Sequence, residues 1–196
     1  MNGLVNIWIA SLFTLYSRDD NTRDIGRYYE RINVCKYLSF NWLGMVVEIM
    51  ASQKDLDKVY MSCAENIATL SHAVRKKVGC VLVTPENVML SSYNGTPSGW
   101  DNRCEDVHET ELFEYLVTKP TVIHAELNAI LHAARQGVSV KGATLYTTLS
   151  CCTACSAMIA QAGIKRVVYK TEYRDRSGIN LLKEHDIIVE QLVDNT

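Results

Sequence analysis

One histidine and two cysteines constrain this chain more than anything else in it. His124-Ala125-Glu126 is followed, after a gap, by Cys152-Thr153-Ala154-Cys155. An imidazole and two thiolates supply three corners of a tetrahedral zinc site and leave the fourth corner for water. Zinc brings the pKa of such a water towards neutrality, and Glu126, two residues from the histidine, is a carboxylate within reach of its proton. Any fold of this chain must therefore bring two separated segments to one point.

A lone Cys-x-x-Cys is a weak signal, since it also describes a redox pair or two helix thiols, and a lone His-x-Glu is weaker. Their local settings make the combination stronger. His124 opens the apolar-periodic run HAELNAILHAARQ, which places Leu127, Ile130, Leu131 and Ala134 on one helical face. Cys152 and Cys155 open a second run, in which Met158, Ile159 and Ala162 continue the buried stripe. Thiols three apart at a helix start share a face, and the helix N-terminus favours their ionised form. Between the two helices, Ala143 to Leu149 reads as a strand. Of the adjacent Cys151 and Cys152, spacing selects Cys152 as the ligand, because only it makes the x-x interval with Cys155. Cys151 is then a packing residue in preference to a competing ligand. Cys104 and His108 do not make a second metal site by themselves, and Cys35, Cys63 and Cys80 read as small apolar fillers. An odd count of seven cysteines without a signal peptide favours a reducing, cytoplasmic compartment over a disulfide framework.

Charge and composition narrow the partners. Twenty basic and 22 acidic residues give a net charge of −2, and no Lys/Arg cluster follows a helix face. A polyanionic nucleic-acid partner is not expected from that balance. Residues 1–49 read as an N-terminal extension, and 50–196 as the functional domain. Leu4 to Leu15 is apolar but too short to cross a bilayer, and it lacks the basic segment of a secretory signal. The extension is either a partner-binding arm or an upstream start, with Met50-Ala51-Ser52-Gln53 opening the domain; the second reading is preferred.

From Asp55 the pattern becomes regular. Leu56, Val59, Tyr60, Cys63, Ile67 and Leu70 keep helical spacing. Val78 to Val83 and Val88 to Tyr93 read as strands around a turn at Pro85-Glu86-Asn87. Residues 94–121 read as a long loop, of the kind that is usually functional or mobile. Arg166 to Tyr169 is a strand, Ser177 to His185 a short helix, and Ile187 to Leu192 a last strand. The sum is an α/β layer architecture with about five strands.

His-x-Glu with Cys-x-x-Cys is a known signature of zinc nucleobase deaminases. Tyr93-Asn94-Gly95-Thr96-Pro97, His124 to Ile130, Thr148-Leu149-Ser150 and Ala162-Gly163-Ile164-Lys165 together resemble the deoxycytidylate (dCMP) deaminases, phage-encoded ones included. The resemblance runs from about Asp55 to Leu192. It implies a three-layer α/β/α cytidine deaminase-like fold with a mixed sheet, a homohexamer, activation by dCTP with an accompanying Mg2+, and inhibition by dTTP. It implies zinc-dependent conversion of dCMP to dUMP and ammonia, feeding thymidylate synthesis, in the host cytoplasm if the chain is phage-encoded. Carried over by position, His124, Cys152 and Cys155 bind zinc and Glu126 shuttles protons. Asn94 is expected on the deoxyribose, the Ser150 backbone on the exocyclic amine, Tyr173 and Arg75 near the phosphate, and Arg135 at an effector site. Each has a plainer alternative: Asn94-Gly95 is a common turn pair, Arg135 ends a helix where a cation is favoured, and Arg75 with Lys77 is a solvated face. His72, His132 and His185 read as structural. Cys151 stands where the family pattern has proline, which loosens the strand-to-helix turn. Deamination of dCTP or a modified dCMP, a tRNA or polynucleotide deaminase, and an inactive zinc-binding regulatory subunit are the alternatives to that activity.

Overall fold

Ser52 caps helix α1, Gln53–Ala68, by accepting the Asp55 N–H on its hydroxyl at 3.2 Å. The computed structural model describes residues 52–193. The expectations for residues 1–49 and for Cys35 lie outside the described residues. After α1 come β1 (Gly79–Val83), β2 (Met89–Tyr93), β3 (Glu105–Glu109), β4 (Glu114–Thr118) and α2 (Ala125–Gln136). Then follow β5 (Thr144–Leu149), α3 (Thr153–Gln161), β6 (Arg166–Thr171), α4 (Ser177–Glu184) and β7 (Ile188–Gln191). Among the described residues no helix is long and apolar enough to cross a membrane.

The main sheet has five strands in the order β2-β1-β5-β6-β7. β1 is antiparallel to both β2 and β5, whereas β5, β6 and β7 run parallel. The sheet is therefore mixed, as expected, with helices on both faces. Strand β1 shows why: all of Gly-Cys-Val-Leu-Val is buried, which requires cover on each side of the pleat. Cys80 and Leu82 pack with Ala125, Ala129 and Ala133 of α2, while Val81 and Val83 pack with Met61 and Ala64 of α1. The same alternation divides Leu145 from Tyr146 in β5 and Val167 from Val168 in β6.

Two expectations are corrected. Residues 94–121 are not one loop, because β3 and β4 form a hairpin inside them. Strand β3, Glu-Asp-Val-His-Glu, is charged and largely exposed and lacks the alternation that marks a half-buried strand, while β4, Glu-Tyr-Leu-Val-Thr, is a short apolar run only partly buried. The buried helix stripes are also rotated from those expected. In α1 the buried positions are Asp57, Met61, Ala64 and Ala68, with Val59 and Leu70 exposed. In α2 they are Ala125, Glu126, Ala129 and Ala133, with Leu131 45% exposed and Ala134 exposed. In α3 Cys155, Ser156 and Ile159 are buried, while Met158 is exposed. The cause is close approach: alanines and a serine take most of the buried positions, with Met61 and Ile159 the large apolar side chains among them, and other large apolar residues fall on the flanks. At the tightest contact, a Cβ on Gly79 would overlap the Ala64 carbonyl oxygen of α1.

One polar cluster ties α1 to the sheet. Asp57, 6% exposed, accepts Arg166 Nη1 at 2.7 Å and the Tyr146 hydroxyl at 2.8 Å on one oxygen, and Arg166 Nη2 at 2.7 Å on the other. Arg166 reaches on to Glu190 of β7, so a two-point fork joins α1, β5, β6 and β7. Burial raises the Asp57 carboxyl, but hydrogen bonds from Arg166, Gln53 and Tyr146 outweigh it and hold it below the ordinary carboxylate range. Asp57→Ala should lower unfolding free energy by about 3 kcal/mol at neutral pH, because it removes the two-point fork and leaves the partly buried Arg166 with only the more exposed Glu190 as its partner. A depressed carboxyl adds stability above its unfolded pKa of about 3.9 and loses it as pH falls through the folded value. In urea titrations the gap between native and variant should therefore narrow below about pH 4. A gap independent of pH would show that the carboxylate charge contributes nothing.

Candidate active site

Four backbone ends meet at one edge of the main sheet: the start of β1 and the ends of β2, β5 and β6. The register requires it, since Gly79 at the start of β1 pairs with Tyr93 at the end of β2, and Leu149 at the end of β5 pairs with Thr171 at the end of β6. Helices α2 and α3 both begin at this edge. His124 is the N-cap residue of α2 and Cys152 that of α3.

Local hydrogen bonds hold α2 against β2. Ser92 Oγ donates to the Ala125 carbonyl at 2.7 Å, and Asn128 Nδ2 donates to the Tyr93 carbonyl at 3.0 Å. Gly95 and Ile123 exchange backbone hydrogen bonds of 3.1 and 2.8 Å immediately before the histidine. Neither Ser92 nor Asn128 was singled out in the sequence, although Asn128 lies within the family motif. On the other side, Ser150 N–H donates to Thr171 at 2.9 Å, and Ser150 Oγ accepts the Tyr173 N–H at 2.7 Å. These bonds place Tyr173 beside the loop that leads to Cys152.

The ligating atoms of His124, Cys152 and Cys155 lie within 4.8 Å of one another. His124 Nδ1 stands 3.5 Å from Cys152 Sγ and 3.4 Å from Cys155 Sγ. Zinc bonds of about 2.3 Å to sulfur and 2.1 Å to nitrogen, at a tetrahedral angle, put such atoms about 3.6 Å apart. The three residues therefore fit the ion. Hydrogen bonding from Cys155 and His124 holds the Cys152 thiol well below its ordinary range, and the same Cys152–Cys155 contact pushes Cys155 up. Thiolate character at this point is what a divalent metal requires.

Cys151 points elsewhere. It is fully buried in the apolar core, and burial together with the Glu126 charge pushes its thiol up, so it stays protonated. It hydrogen-bonds the Glu126 side chain. Among the described residues, Cys104 and His108 belong to no group of three potential ligands. Cys104 is buried at the base of the hairpin, and His108 stands against Tyr115 with ring centroids 5.7 Å apart.

Glu126 projects from the first turn of α2 and is 4% exposed. Burial raises its carboxyl above the ordinary range, while its own N–H and the His124 ring oppose the rise. A carboxyl raised in this way suits a group that both takes and gives a proton. Glu126 lines a cavity of about 220 Å³ together with His124, Cys152, Asn94, Ser150, Tyr173 and Arg75. Arg135 does not line it and lies in the last turn of α2. Asn94 sits in no turn of its own. Its Oδ1 accepts the Val78 N–H at 2.8 Å and its Nδ2 donates to the Lys76 carbonyl at 3.0 Å, which splices the cavity wall to the end of β2.

Gly178, which the sequence did not mark, supports the thiol loop from below. A Cβ there would overlap the Cys151 carbonyl and come within 2.8 Å of the Cys152 carbonyl carbon and of Ser156 Oγ. The first turn of α4 can lie against the zinc loop only because that position has no side chain.

Residues 54–171 match the family model for the cytidine and deoxycytidylate deaminase zinc-binding region. The chain belongs to that family. Deoxycytidylate deaminase of Saccharomyces cerevisiae is 37% identical over 143 residues, which cover 69% of this chain and 44% of the yeast protein. The chain thus spans less than half the length of that relative. The Mycobacterium phage D29 deoxycytidylate deaminase is 37% identical over 128 residues, covering 62% of this chain and 98% of the phage protein. The crystal structure of the cyanophage S-TIM5 dCMP deaminase, in complex with dCMP and dUMP, superposes with a TM-score of 0.64 at 38% identity, covering 72% of this chain and all of that one.

The account of Gly178 gives a prediction with a clear sign. Gly to Ala inside a helix ordinarily stabilises it by about 1 kcal/mol. Gly178→Ala should instead destabilise the protein and lower zinc bound per chain, read by metal analysis alongside thermal melts. A more stable variant with full zinc would contradict the packing described.

Proposed function

We propose that this protein deaminates dCMP to dUMP, consuming water and releasing ammonia. One observation carries the reading: a buried carboxyl, Glu126, shares a cavity of about 220 Å³ with a histidine and a cysteine of a three-residue zinc ligand set. Its support is membership of the family and the likeness to proteins named deoxycytidylate deaminase.

His124, Cys152 and Cys155 would hold a zinc ion. Bound there, it would supply the Lewis acidity that makes a water molecule a competent nucleophile near neutral pH. Glu126 takes the proton that this water gives up and delivers it to N3 of cytosine, which makes C4 electrophilic. After the water oxygen has bonded to C4, the same carboxyl takes the remaining proton from that oxygen and hands it to the amino group; the C4–N bond breaks, the C4=O bond forms and ammonia leaves. The Ser150 backbone orients the amine, Asn94 meets the deoxyribose, and Arg75 with Tyr173 meets the 5′-phosphate.

The reading extends to regulation and assembly. Arg135 contributes to an effector site for dCTP, accompanied by Mg2+, or dTTP. The chain assembles as a homohexamer, in keeping with the apolar side chains that Leu131 and Met158 leave exposed on α2 and α3. Residues 50–196 form the deaminase domain and 1–49 an extension. A free nucleotide, in place of nucleic acid or membrane, is consistent with the net charge of −2, and the cytoplasm, or the host cytoplasm for a phage-encoded chain, is the compartment.

An ammonia-release assay on dCMP, dCTP and cytidine, each with and without added dCTP or dTTP, tests the substrate. Turnover should be fastest with dCMP. Glu126→Gln should retain zinc and lose at least about 10²- to 10⁴-fold in kcat. Comparable turnover in that variant would remove Glu126 from the mechanism, and preference for another substrate would overturn the proposal.

A further inference from the structure

The hairpin between β2 and α2 reaches the cavity at its base. There Glu105 of β3 faces Thr118 of β4 across the ladder. Both turn to one target, the segment that leads into β1. The Glu105 carboxylate accepts the Val74 N–H on each oxygen at 3.2 Å and the Arg75 N–H on Oε1 at 3.2 Å. Thr118 Oγ1 accepts Arg75 Nη1 at 2.9 Å. One residue holds the main chain at Arg75 and the other holds its guanidinium, and all three line the cavity.

The base is itself anchored. Cys104 is buried, and its carbonyl accepts the Lys119 N–H at 2.9 Å. The Lys119 ammonium stands 3.9 Å from Asp101 and 3.7 Å from Asp106. Beyond the base, β3 and β4 pack on no other helix or strand among the described residues. The firm end of the hairpin is thus the end that touches Arg75.

The chemistry of the two holders matters. Among the described residues Arg75 makes no ion pair. Thr118 orients the guanidinium through a neutral oxygen, and the Glu105 charge is taken up by backbone N–H groups. The cation is aimed but not neutralised. A long side chain left to itself loses rotamer freedom when it binds, and one fixed beforehand loses less.

We propose that Glu105 and Thr118 are positioning residues for Arg75, and that through it they set the preference of the site for a 5′-monophosphate over the bare nucleoside. This rests on the reading of Arg75 as the phosphate cation given above. The hairpin is then part of the specificity apparatus.

The test compares kcat/KM for dCMP with that for deoxycytidine, in the full-length zinc-loaded protein. Thr118→Val and Glu105→Gln should each raise KM for dCMP by about tenfold, more than they change kcat, and so shrink the dCMP-to-deoxycytidine ratio. Thr118→Ser, which keeps the hydroxyl, should restore it. Arg75→Ala should shrink the ratio at least as far, and adding Thr118→Val to it should change the ratio no further. If the hairpin variants reduce activity on both substrates equally, or if their effects add to that of Arg75→Ala, the proposal is overturned while the role of Arg75 stands. If Arg75→Ala leaves the ratio unchanged, the phosphate reading of Arg75 fails and the proposal falls with it.

Discussion

The rest of the site depends on the meeting of two helix starts at one edge of the main sheet. α2 contributes His124 and Glu126, α3 contributes Cys152 and Cys155, and the histidine nitrogen stands about equally far from both sulfurs. Neither helix could bring its groups there alone. The parallel pair β5 and β6, with α3 between them in sequence, returns the chain to the same edge, and the small residues of α2 let it lie close enough on β1 and β2 to bury the glutamate. Helix starts also favour anionic thiolates electrostatically, so the fold assists the ionisation that the metal needs.

Around this point the backbone is cross-linked by short polar side chains that leave the cavity open. Ser92, Asn94, Asn128 and Ser150 each bind main-chain groups of a neighbouring segment. Side chains such as these fix a wall at hydrogen-bond length without filling the space it encloses. Arg75, Glu105 and Thr118 repeat the arrangement at the far end of the cavity. Asp57 and Arg166 lie on the opposite face of the sheet, where their fork holds α1 without entering the site.

Much of this was legible in the chain because it obeys fixed spacings. The thiols three apart and the histidine two from a carboxylate marked the candidate zinc ligands, the apolar runs marked the order of most elements, and the mixed sheet followed from the family resemblance. Helix faces were misjudged for a physical reason. Periodicity follows the largest apolar residues, whereas α1, α2 and α3 turn alanine, serine and even a charged residue towards the sheet. The β3–β4 hairpin escaped because β3 is charged and exposed and carries no apolar alternation, which left the short apolar run of β4 without a visible partner. Asn94 resembled a turn residue, and only its hydrogen bonds to Lys76 and Val78 reveal a splice between segments distant in sequence. Gly178, Glu105 and Thr118 have no local signature, since their roles exist only in the contacts they make across the fold.

The central claim is that one nitrogen and two sulfurs of this chain, and not the adjacent third thiol, hold a single zinc ion. X-ray absorption at the zinc edge of the purified full-length protein tests it most directly. The account predicts one zinc per chain, with two sulfur donors near 2.3 Å and the remaining donors nitrogen or oxygen. Three sulfur donors would bring Cys151 into the coordination sphere, and would contradict both its place in the core and the ligand geometry on which the proposed chemistry depends.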